Sequence, residues 1–320
     1  MLASVVVPTY RRSDLLDRCL AALTAQEFDM SSFEIIVADD AGSEATRRQV
    51  DAWAGRSAVP IRYAVPTSVH GPAAARNAGW RAARGRIVAF TDDDCIPDPL
   101  WLAEGVAAFD GGAAAVAGRV VVPLPDRPTD YERDAAGLEG AEFVTANCFV
   151  RRDALEAVGG FDERYAAAWR EDSDLHFAFL ERGCRVDRAP LAVVVHPVRP
   201  ARWGVSLRQQ RKSLFNALLY KKFPERYRRQ IRPSPPWDYY ATVGAIATAA
   251  AALVAGRPGI ALAASSVWAA LTARFCARRL RHNSLSPRHV AEMAVTSAMI
   301  PPLSVFWRLY GAFKFRVLFL

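Results

Sequence analysis

Residues 86–99 read RIVAFTDDDCIPDP, a short apolar run that stops on three consecutive carboxylates, Asp92, Asp93 and Asp94. The run 87–90 has the length and the β-branched and aromatic content of a buried strand, and Pro97 and Pro99 then punctuate the approach to a helix. The acids therefore fall at the carboxyl end of a strand, where open α/β sheets place their ligands. Like charges this close raise one another's pKa, so a hard dication such as Mg2+ or Mn2+ is the natural compensation. The alternative is a solvated turn whose aspartates cap the next helix.

Outward from this stretch the chain alternates. Strand-like segments at 4–8, 34–38, 61–65, 87–90 and 114–122 are separated by helical ones at 14–24, 44–53, 73–83 and 100–109. That rhythm predicts an α/β fold, a mostly parallel sheet with helices on both faces. Ser13 is placed to cap the first helix, whose Leu15, Leu16, Cys19, Leu20 and Leu23 keep helical spacing. Residues 123–140, rich in Pro, Asp and Gly, read as a loop that either moves over a ligand or passively connects. Beyond it come a strand at 142–150, a short helix from Asp153, a helix opened by Glu171 and Asp172 and running to Arg182, and a strand at 192–196.

The 320 residues suffice for one large domain with an appendage, or for two domains. The net charge of +8 conceals an asymmetry: residues 1–196 hold 21 Lys and Arg against 30 Asp and Glu, and residues 197–320 hold 20 against 3. An acidic body with a basic, apolar tail argues against nucleic-acid binding along the chain and for a soluble domain held at an anionic surface, a membrane. The five cysteines are odd in number and scattered, without C-x-x-C spacing, and read as free thiols in a reducing compartment. The first residues lack the order of a cleavable signal, which places the amino-terminal domain in the cytosol.

In the tail, residues 202–223 interleave Trp203, Leu207, Leu214, Leu218 and Tyr220 with Arg208, Arg211, Lys212, Lys221 and Lys222. This is a basic helix that either lies on lipid headgroups or packs on the body with a solvated basic side. Apolar runs at 239–255 and 260–276 flank the turn Gly256-Arg257-Pro258-Gly259, with Arg residues crowded before the first run and after the second. The positive-inside rule makes these a spanning helical hairpin with its turn outside, anchored by Trp237, Tyr239 and Tyr240; the rival is a buried dimerisation hairpin. A third segment, 290–306, contains Glu292 and is broken by Pro301-Pro302, so it is expected to be re-entrant or interfacial. The expected organisation is an α/β catalytic domain at 1–200, a basic amphipathic linker at 201–235 and a membrane region at 236–320, with the hairpin at 239–276 and the interfacial segment at 289–307.

Other strand ends bear on the acidic triplet. The first strand ends in Pro8-Thr9-Tyr10-Arg11 and the second in Asp39-Asp40, so a second acidic pair lies on the same sheet edge. Carboxylates at one strand end can accept hydrogen bonds from a base or ribose while those at the next hold a metal on a diphosphate. Residues 71–79, GPAAARNAG, enter a helix with small side chains and one cation, Arg76, within reach of a nucleotide. Glu171 and Asp172 put two further carboxylates at a helix start, where N-terminal charge placement alone would account for them.

The segments PTYRR, VADDAGS, GPAAARNAGWRAARG, VAFTDDD, TANCFVRRDALEAVGGFDE and WREDSDLHFAFLERG, in this order and spacing over residues 2–222, resemble family 2 glycosyltransferases of the GT-A fold. The resemblance implies an inverting transferase that moves a sugar from a nucleotide diphosphate sugar to an acceptor hydroxyl, with Mn2+ or Mg2+. It matches Pro8, Thr9 and Asp39 to nucleobase-binding positions, and Tyr10, Arg11, Asp40, Arg76 and Asp93 are grouped with them on the donor side. Asp92 and Asp94 match the ends of the D-x-D motif, Asp94 as the direct metal ligand and Asp92 supporting metal or ribose, while Asp93 is expected to point into the sheet. Asp172 matches the acid that serves as general base, with the adjacent Glu171 the alternative; His196 resembles a further metal or diphosphate ligand, and Asn147, Trp169 and Arg170 fall where the family forms donor-sugar and acceptor walls.

The Q-x-x-R-W sequence of processive synthases is only echoed, by residues 208–213, which implies transfer of one or a few sugars. With a membrane tail, the implied acceptor is a lipid-linked or cell-envelope glycan at the cytoplasmic face of the inner (plasma) membrane. The competing classes are a nucleotidyltransferase, whose Gly-rich loop is missing from PTYRRSD, and a non-catalytic membrane-tethered sensor of nucleotide sugars.

Overall fold

The computed structural model describes residues 1–319, Asp110 by its backbone alone. Its strands are β1 (Ala3–Thr9), β2 (Phe33–Asp39), β3 (Ile61–Ala64), β4 (Ile87–Thr91), β5 (Ile96–Pro97), β6 (Ala115–Val121), β7 (Asn147–Arg151) and β8 (Val186–Val195). Its helices are α1 (Ser13–Thr24), α2 (Glu44–Ala54), α3 (Pro72–Ala82), α4 (Trp101–Ala107), α5 (Asp130–Ala135), α6 (Arg152–Val158), α7 (Glu171–Glu181), α8 (Val205–Gln209), α9 (Phe215–Lys222), α10 (Pro224–Arg226), α11 (Trp237–Val254), α12 (Pro258–Leu280) and α13 (Pro287–Phe315). The chain divides into two compact units, residues 1–123 with 136–198, and residues 124–135 with 199–320.

In the first unit all eight strands form one sheet in the order β3-β2-β1-β4-β7-β6-β8-β5. The β3-β2-β1-β4 half is parallel. Every residue of β2 and β4 is buried, as is all of β1 but Pro8, because helices cover both faces; such strands read as unbroken apolar runs. On one face Val5, Val7, Ile35 and Val37 join Leu16, Leu20 and Leu23 of α1 in the core. On the other, α3 crosses β1 at Gly79, where a Cβ would overlap Val6 Cγ1. The sheet is mixed, with four of its seven strand pairings parallel: β7 runs antiparallel to both β4 and β6, and β5 antiparallel to β8, while β6 and β8 are parallel. β7 therefore lies beside β4, and β8 lies between β6 and the short edge strand β5, which follows β4 in the chain.

Several expected elements differ. Residues 142–146 do not join β7, although Phe143, Val144 and Ala146 are buried; Asn147 N–H donates to Val144 O in a turn, so an apolar run is buried there without pairing. Arg12, not Ser13, occupies the cap position of α1, and no side chain caps it; Ser13 is already helical. The strand expected at 192–196 begins six residues earlier, at Val186, and His196 follows its last residue.

The second unit is helical. The expected continuous helix over 202–223 is divided into α8, a 3-10 turn at Gln210–Leu214, and α9. The break expected at Pro301-Pro302 does not occur, since α13 runs through both prolines for 29 residues. Proline removes the N–H that would bond four residues back. Beside those freed carbonyls, Thr296 Oγ1 and Ser297 Oγ accept from Arg279 Nη1 at 2.7 and 3.2 Å. Arg279 is buried at the end of α12, and its Nε and Nη2 both donate to Asp130 Oδ2 on α5. Among the described residues α12 and α13 are long and apolar enough to cross a membrane; at 1.5 Å per residue the 23 residues of α12 reach about 35 Å. Leu253, Val254, Ile260, Leu262 and Val267, around the α11–α12 turn, are exposed.

Candidate functional site

The parallel half of the sheet delivers β1, β2 and β4 to one edge with their carboxyl ends together, and the three aspartates after β4 separate there into three roles. Asp93 turns inward: Thr9 Oγ1 donates to its Oδ2 at 2.7 Å and Arg12 Nη1 to its Oδ1 at 3.0 Å, with the residue 1% exposed. Burial pushes this carboxyl above its ordinary value, against the Arg12 guanidinium and the Thr9 hydroxyl. Asp93 thus latches β4 to the end of β1, and the Thr9 hydroxyl, expected at the nucleobase, is engaged within the fold.

Asp92 stays at the surface, its side chain 26% exposed, and its Oδ1 accepts from Arg76 Nη2 at 2.8 Å. Arg76 does not extend toward solvent as expected of a nucleotide ligand. It is 3% exposed on α3, and its Nη1 donates to Glu171 Oε1 at 3.0 Å. One guanidinium therefore joins the acidic turn to the first residue of α7. Asp94, nearly buried, faces His196 from the end of β8, Oδ1 to Nε2 at 3.4 Å.

Asp94, Cys95 and His196 have ligand atoms within 4.8 Å of one another. His196 Nδ1 is buried without a partner, a costly state for a polar nitrogen that still has coordinating capacity. A carboxylate and an imidazole suit Mn2+ or Mg2+, so the residues present fit a dication. Asp92, expected beside Asp94 as a ligand, lies outside this group and is held by Arg76 instead. Cys95 is a buried thiol whose pKa is raised by burial and by the Asp92 and Asp94 charges.

At the amino end of α7, Arg170 takes a left-handed backbone, φ +76°, and stacks on Trp169 at 4.8 Å. The turn leaves Glu171 inside, 3% exposed, and Asp172 half-buried beside it. Burial pushes Glu171 up to about 7, with Arg76 pulling down and Asp172 adding to the rise. Burial also raises Asp172, against the Ser173 N–H, Arg170 and Arg76. Of the adjacent pair, Asp172 is the one with access to solvent.

At the end of β2, Asp39 is wholly buried and spends both oxygens on the protein: Oδ1 accepts from Ala41 N–H, and Oδ2 from Ser43 N–H and the Tyr63 hydroxyl. Asp40, partly exposed, accepts from Gly71 N–H at 2.6 Å, where Gly71 adopts φ +130° ahead of α3, and His70 Nδ1 lies 2.8 Å from Asp40 O. Tyr10 is exposed, with Arg11 over its ring at 5.5 Å.

Asn147 is displaced most from its expected role. It is 0% exposed, its Oδ1 accepts from Trp101 Nε1 at 2.8 Å, and its Nδ2 donates to Arg119 O and Ala192 O. It brackets β6, β8 and α4; a Cβ on Gly118 would overlap it. Trp169, by contrast, is 39% exposed at the mouth of α7. The sequence reading missed Arg12, Tyr63, His70 and Cys95, of which only Cys95, directly after the triplet, carried a local signal.

Residues 4–162 match the family model described as glycosyl transferase family 2, and residues 87–310 match that of glycosyl transferase family group 2. The glycosyltransferase AglE of Haloferax volcanii is 29% identical over 219 residues, 65% of this chain and 70% of AglE. Validoxylamine A glucosyltransferase of Streptomyces hygroscopicus subsp. jinggangensis is 36% identical over 115 residues, 36% of this chain and only 27% of that protein. Among solved structures, the mannosyltransferase PcManGT of Pyrobaculum calidifontis, in complex with GDP-Man and Mn2+, covers 98% of this chain and 86% of its own, with TM-score 0.56 and 22% identity. Staphylococcus aureus TarS 1–349 in complex with UDP-GlcNAc covers 94% of this chain and 91% of its own, with TM-score 0.51 and 16% identity. At those identities the likeness is one of fold.

Proposed function

The chain belongs to the family 2 glycosyltransferases, and from that membership we propose that it transfers one or a few sugars, with inversion, from a nucleotide diphosphate sugar to an acceptor hydroxyl. The competing sequence readings, a nucleotidyltransferase or a non-catalytic sensor, give way to a transferase. The observation that carries the proposal is the junction made by Arg76, which ties Asp92 of the acidic turn to Glu171 beside Asp172. A donor-side carboxylate and a candidate base are thereby fixed in one rigid element.

Asp172 is the general base in this reading. It has access to solvent, whereas Glu171 is buried and paired with Arg76. An acceptor hydroxyl hydrogen-bonded to an Asp172 oxygen would lose its proton there as it attacks the anomeric carbon. One in-line displacement on the face opposite the leaving group inverts that carbon. Asp94 and His196 would hold Mn2+ or Mg2+, and the ion, when bound, supplies positive charge to the departing diphosphate. Asp40, Tyr10 and Arg11, at the ends of β2 and β1, are the exposed groups left to meet the nucleoside. Trp169 and Arg170 form the acceptor side.

The acceptor is a lipid-linked or envelope glycan, and the enzyme works at the cytoplasmic face of the inner (plasma) membrane. The two apolar helices and the 20 cationic residues of the last 124 support this reading.

Binding of a panel of UDP- and GDP-sugars, followed by thermal shift with Mn2+ or Mg2+ and with EDTA, tests the donor side. Asp94→Ala should lose metal-dependent donor binding. Asp172→Asn should keep it and lose transfer; equal transfer by Asp172→Asn and wild type would overturn the assignment of the base.

A further inference from the structure

Strand register places a sulfur donor against the metal-holding pair. β5 is antiparallel to β8 with Ile96 opposite Val195 and Pro97 opposite Val194. The next step along that register sets Cys95 against His196, and Asp94 precedes Cys95 in the turn. The three ligand atoms, a carboxylate oxygen, a thiol sulfur and an imidazole nitrogen, lie within 4.8 Å of one another, with Asp94 Oδ1 and His196 Nε2 at 3.4 Å. Ligands about 2.0–2.3 Å from one tetrahedral ion sit about 3.2–3.8 Å apart, so closing this set asks for a movement on the order of one ångström.

Cys95 Sγ makes only weak contacts, a 3.8 Å approach to Ala146 O and one to the Asp92 backbone. Among the described residues His196 Nδ1 is buried without a partner. The imidazole is 14% exposed, against 4% for the Asp94 side chain and 1% for Cys95, and is the most accessible of the three ligands.

We propose that Asp94, Cys95 and His196 form a mixed oxygen, sulfur and nitrogen site that captures a thiophilic dication, Zn2+ or Cd2+, in competition with Mn2+ or Mg2+. The proposal rests on the reading of Asp94 and His196 as the metal-holding side chains. Soft thiolate, with imidazole, draws Zn2+ and Cd2+, whereas hard Mg2+ and Mn2+ favour the carboxylate and water. Capture converts the Cys95 thiol to thiolate and releases one proton to solvent. Three protein ligands would leave a fourth position open on such an ion.

The test uses the full chain, reduced and stripped of metal. Cd2+ is added while the thiolate-to-Cd2+ charge-transfer absorption is followed, and Mn2+ binding is followed separately by the loss of the free-ion electron paramagnetic resonance signal. Wild type should show a band saturating at one ion per chain above the level in Cys95→Ser, and Asp94→Asn should weaken it. Zn2+ should displace Mn2+ from wild type at a concentration at least about tenfold lower than from Cys95→Ser, since even an outer partner of a ligand is worth roughly 10–100-fold.

Equal bands in wild type and Cys95→Ser would assign the thiolate to another cysteine and overturn the site. Mn2+ binding without any Cys95-dependent band would overturn it while leaving the transferase reading intact. A Cys95-dependent band without Mn2+ binding would support the soft site and remove the metal from that reading. Cys95→Ala, compared by circular dichroism, separates loss of a ligand from loss of the fold.

Discussion

Arg76 donates to Glu171 from α3 to α7, Nη1 to Oε1 at 3.0 Å, with the two side chains 3% and 4% exposed. A pair so buried is weak evidence of net stability, because both ions lose their water, yet removing one partner leaves the other charged and alone. Arg76→Met strands Glu171 and frees Asp92. Above about pH 7, where Glu171 is ionised, it should cost about 3–5 kcal/mol in chemical denaturation, the range for breaking a buried pair. Arg76→Met with Glu171→Leu should recover part of that loss, the coupling expected of groups in contact.

Glu171 also sets a pH dependence of stability. Its carboxyl is raised from an ordinary 4.5 to about 7, mainly by burial, so the folded protein holds this proton more tightly than the unfolded chain does. Its contribution is full below pH 4.5 and is lost as the pH rises through about 7. Urea midpoints measured across that window should fall with pH in wild type more steeply than in Glu171→Gln. Parallel curves would show that Glu171 does not keep its proton in the folded state.

The same pair shapes the pH dependence of transfer. Asp172 works as a base only when ionised, and the adjacent carboxyls titrate as a unit, so the rate should rise as the pair loses its last proton near neutrality. Glu171→Gln removes a like charge beside Asp172, and the rising limb at saturating donor should move to lower pH. A limb that stays in place would assign it to another group.

Asn147 carries a prediction that separates a bracket from a sugar wall. Asn147→Ala orphans the Trp101 indole N–H and the carbonyls of Arg119 and Ala192, all drawn into one buried knot. At about 1–3 kcal/mol for each buried polar group left unpaired, the loss should reach roughly 3 kcal/mol in thermal or urea unfolding. Donor KM should hold steady in protein that remains folded. A raised KM with unchanged stability would return Asn147 to the sugar.

The β1–β4 half of the sheet was legible because both its faces are covered and its strands read as continuous apolar runs. The same signal misled at 142–146, where burial and backbone pairing part company. The acids at the strand ends were visible as residue types, but which one turns inward is decided by partners far along the chain: Thr9 and Arg12 for Asp93, Tyr63 for Asp39. The reach of Arg76 to Glu171 and the register opposing Cys95 to His196 are tertiary facts with no local trace. Pro301-Pro302 was read as a break because proline costs a helix its bond; α13 nevertheless continues through both, with the buried Arg279 bonded to the Thr296 and Ser297 hydroxyls one turn earlier.

That cation, Arg279, carries the last prediction. The short helix α5, only six residues, has no buried side chain of its own. It is held by tertiary bonds: Asp130 to Arg279, Arg133 Nε to Asn283 Oδ1 at 2.5 Å, and Ser284 N–H to Pro128 O. A segment secured by a few polar contacts opens with a free energy close to the strength of those contacts, and cleavage follows the open population. Arg279→Met removes the central contact and leaves Asp130 without its ion pair. Trypsin should then cut after Arg133 at least about tenfold faster than in wild type, the factor that about 1.4 kcal/mol of lost closure supplies. Asp130→Asn keeps one hydrogen-bonding oxygen for the guanidinium and should fall between the two. Equal cleavage of all three proteins would mean that Asn283 and the backbone of Pro128 hold α5 without the ion pair.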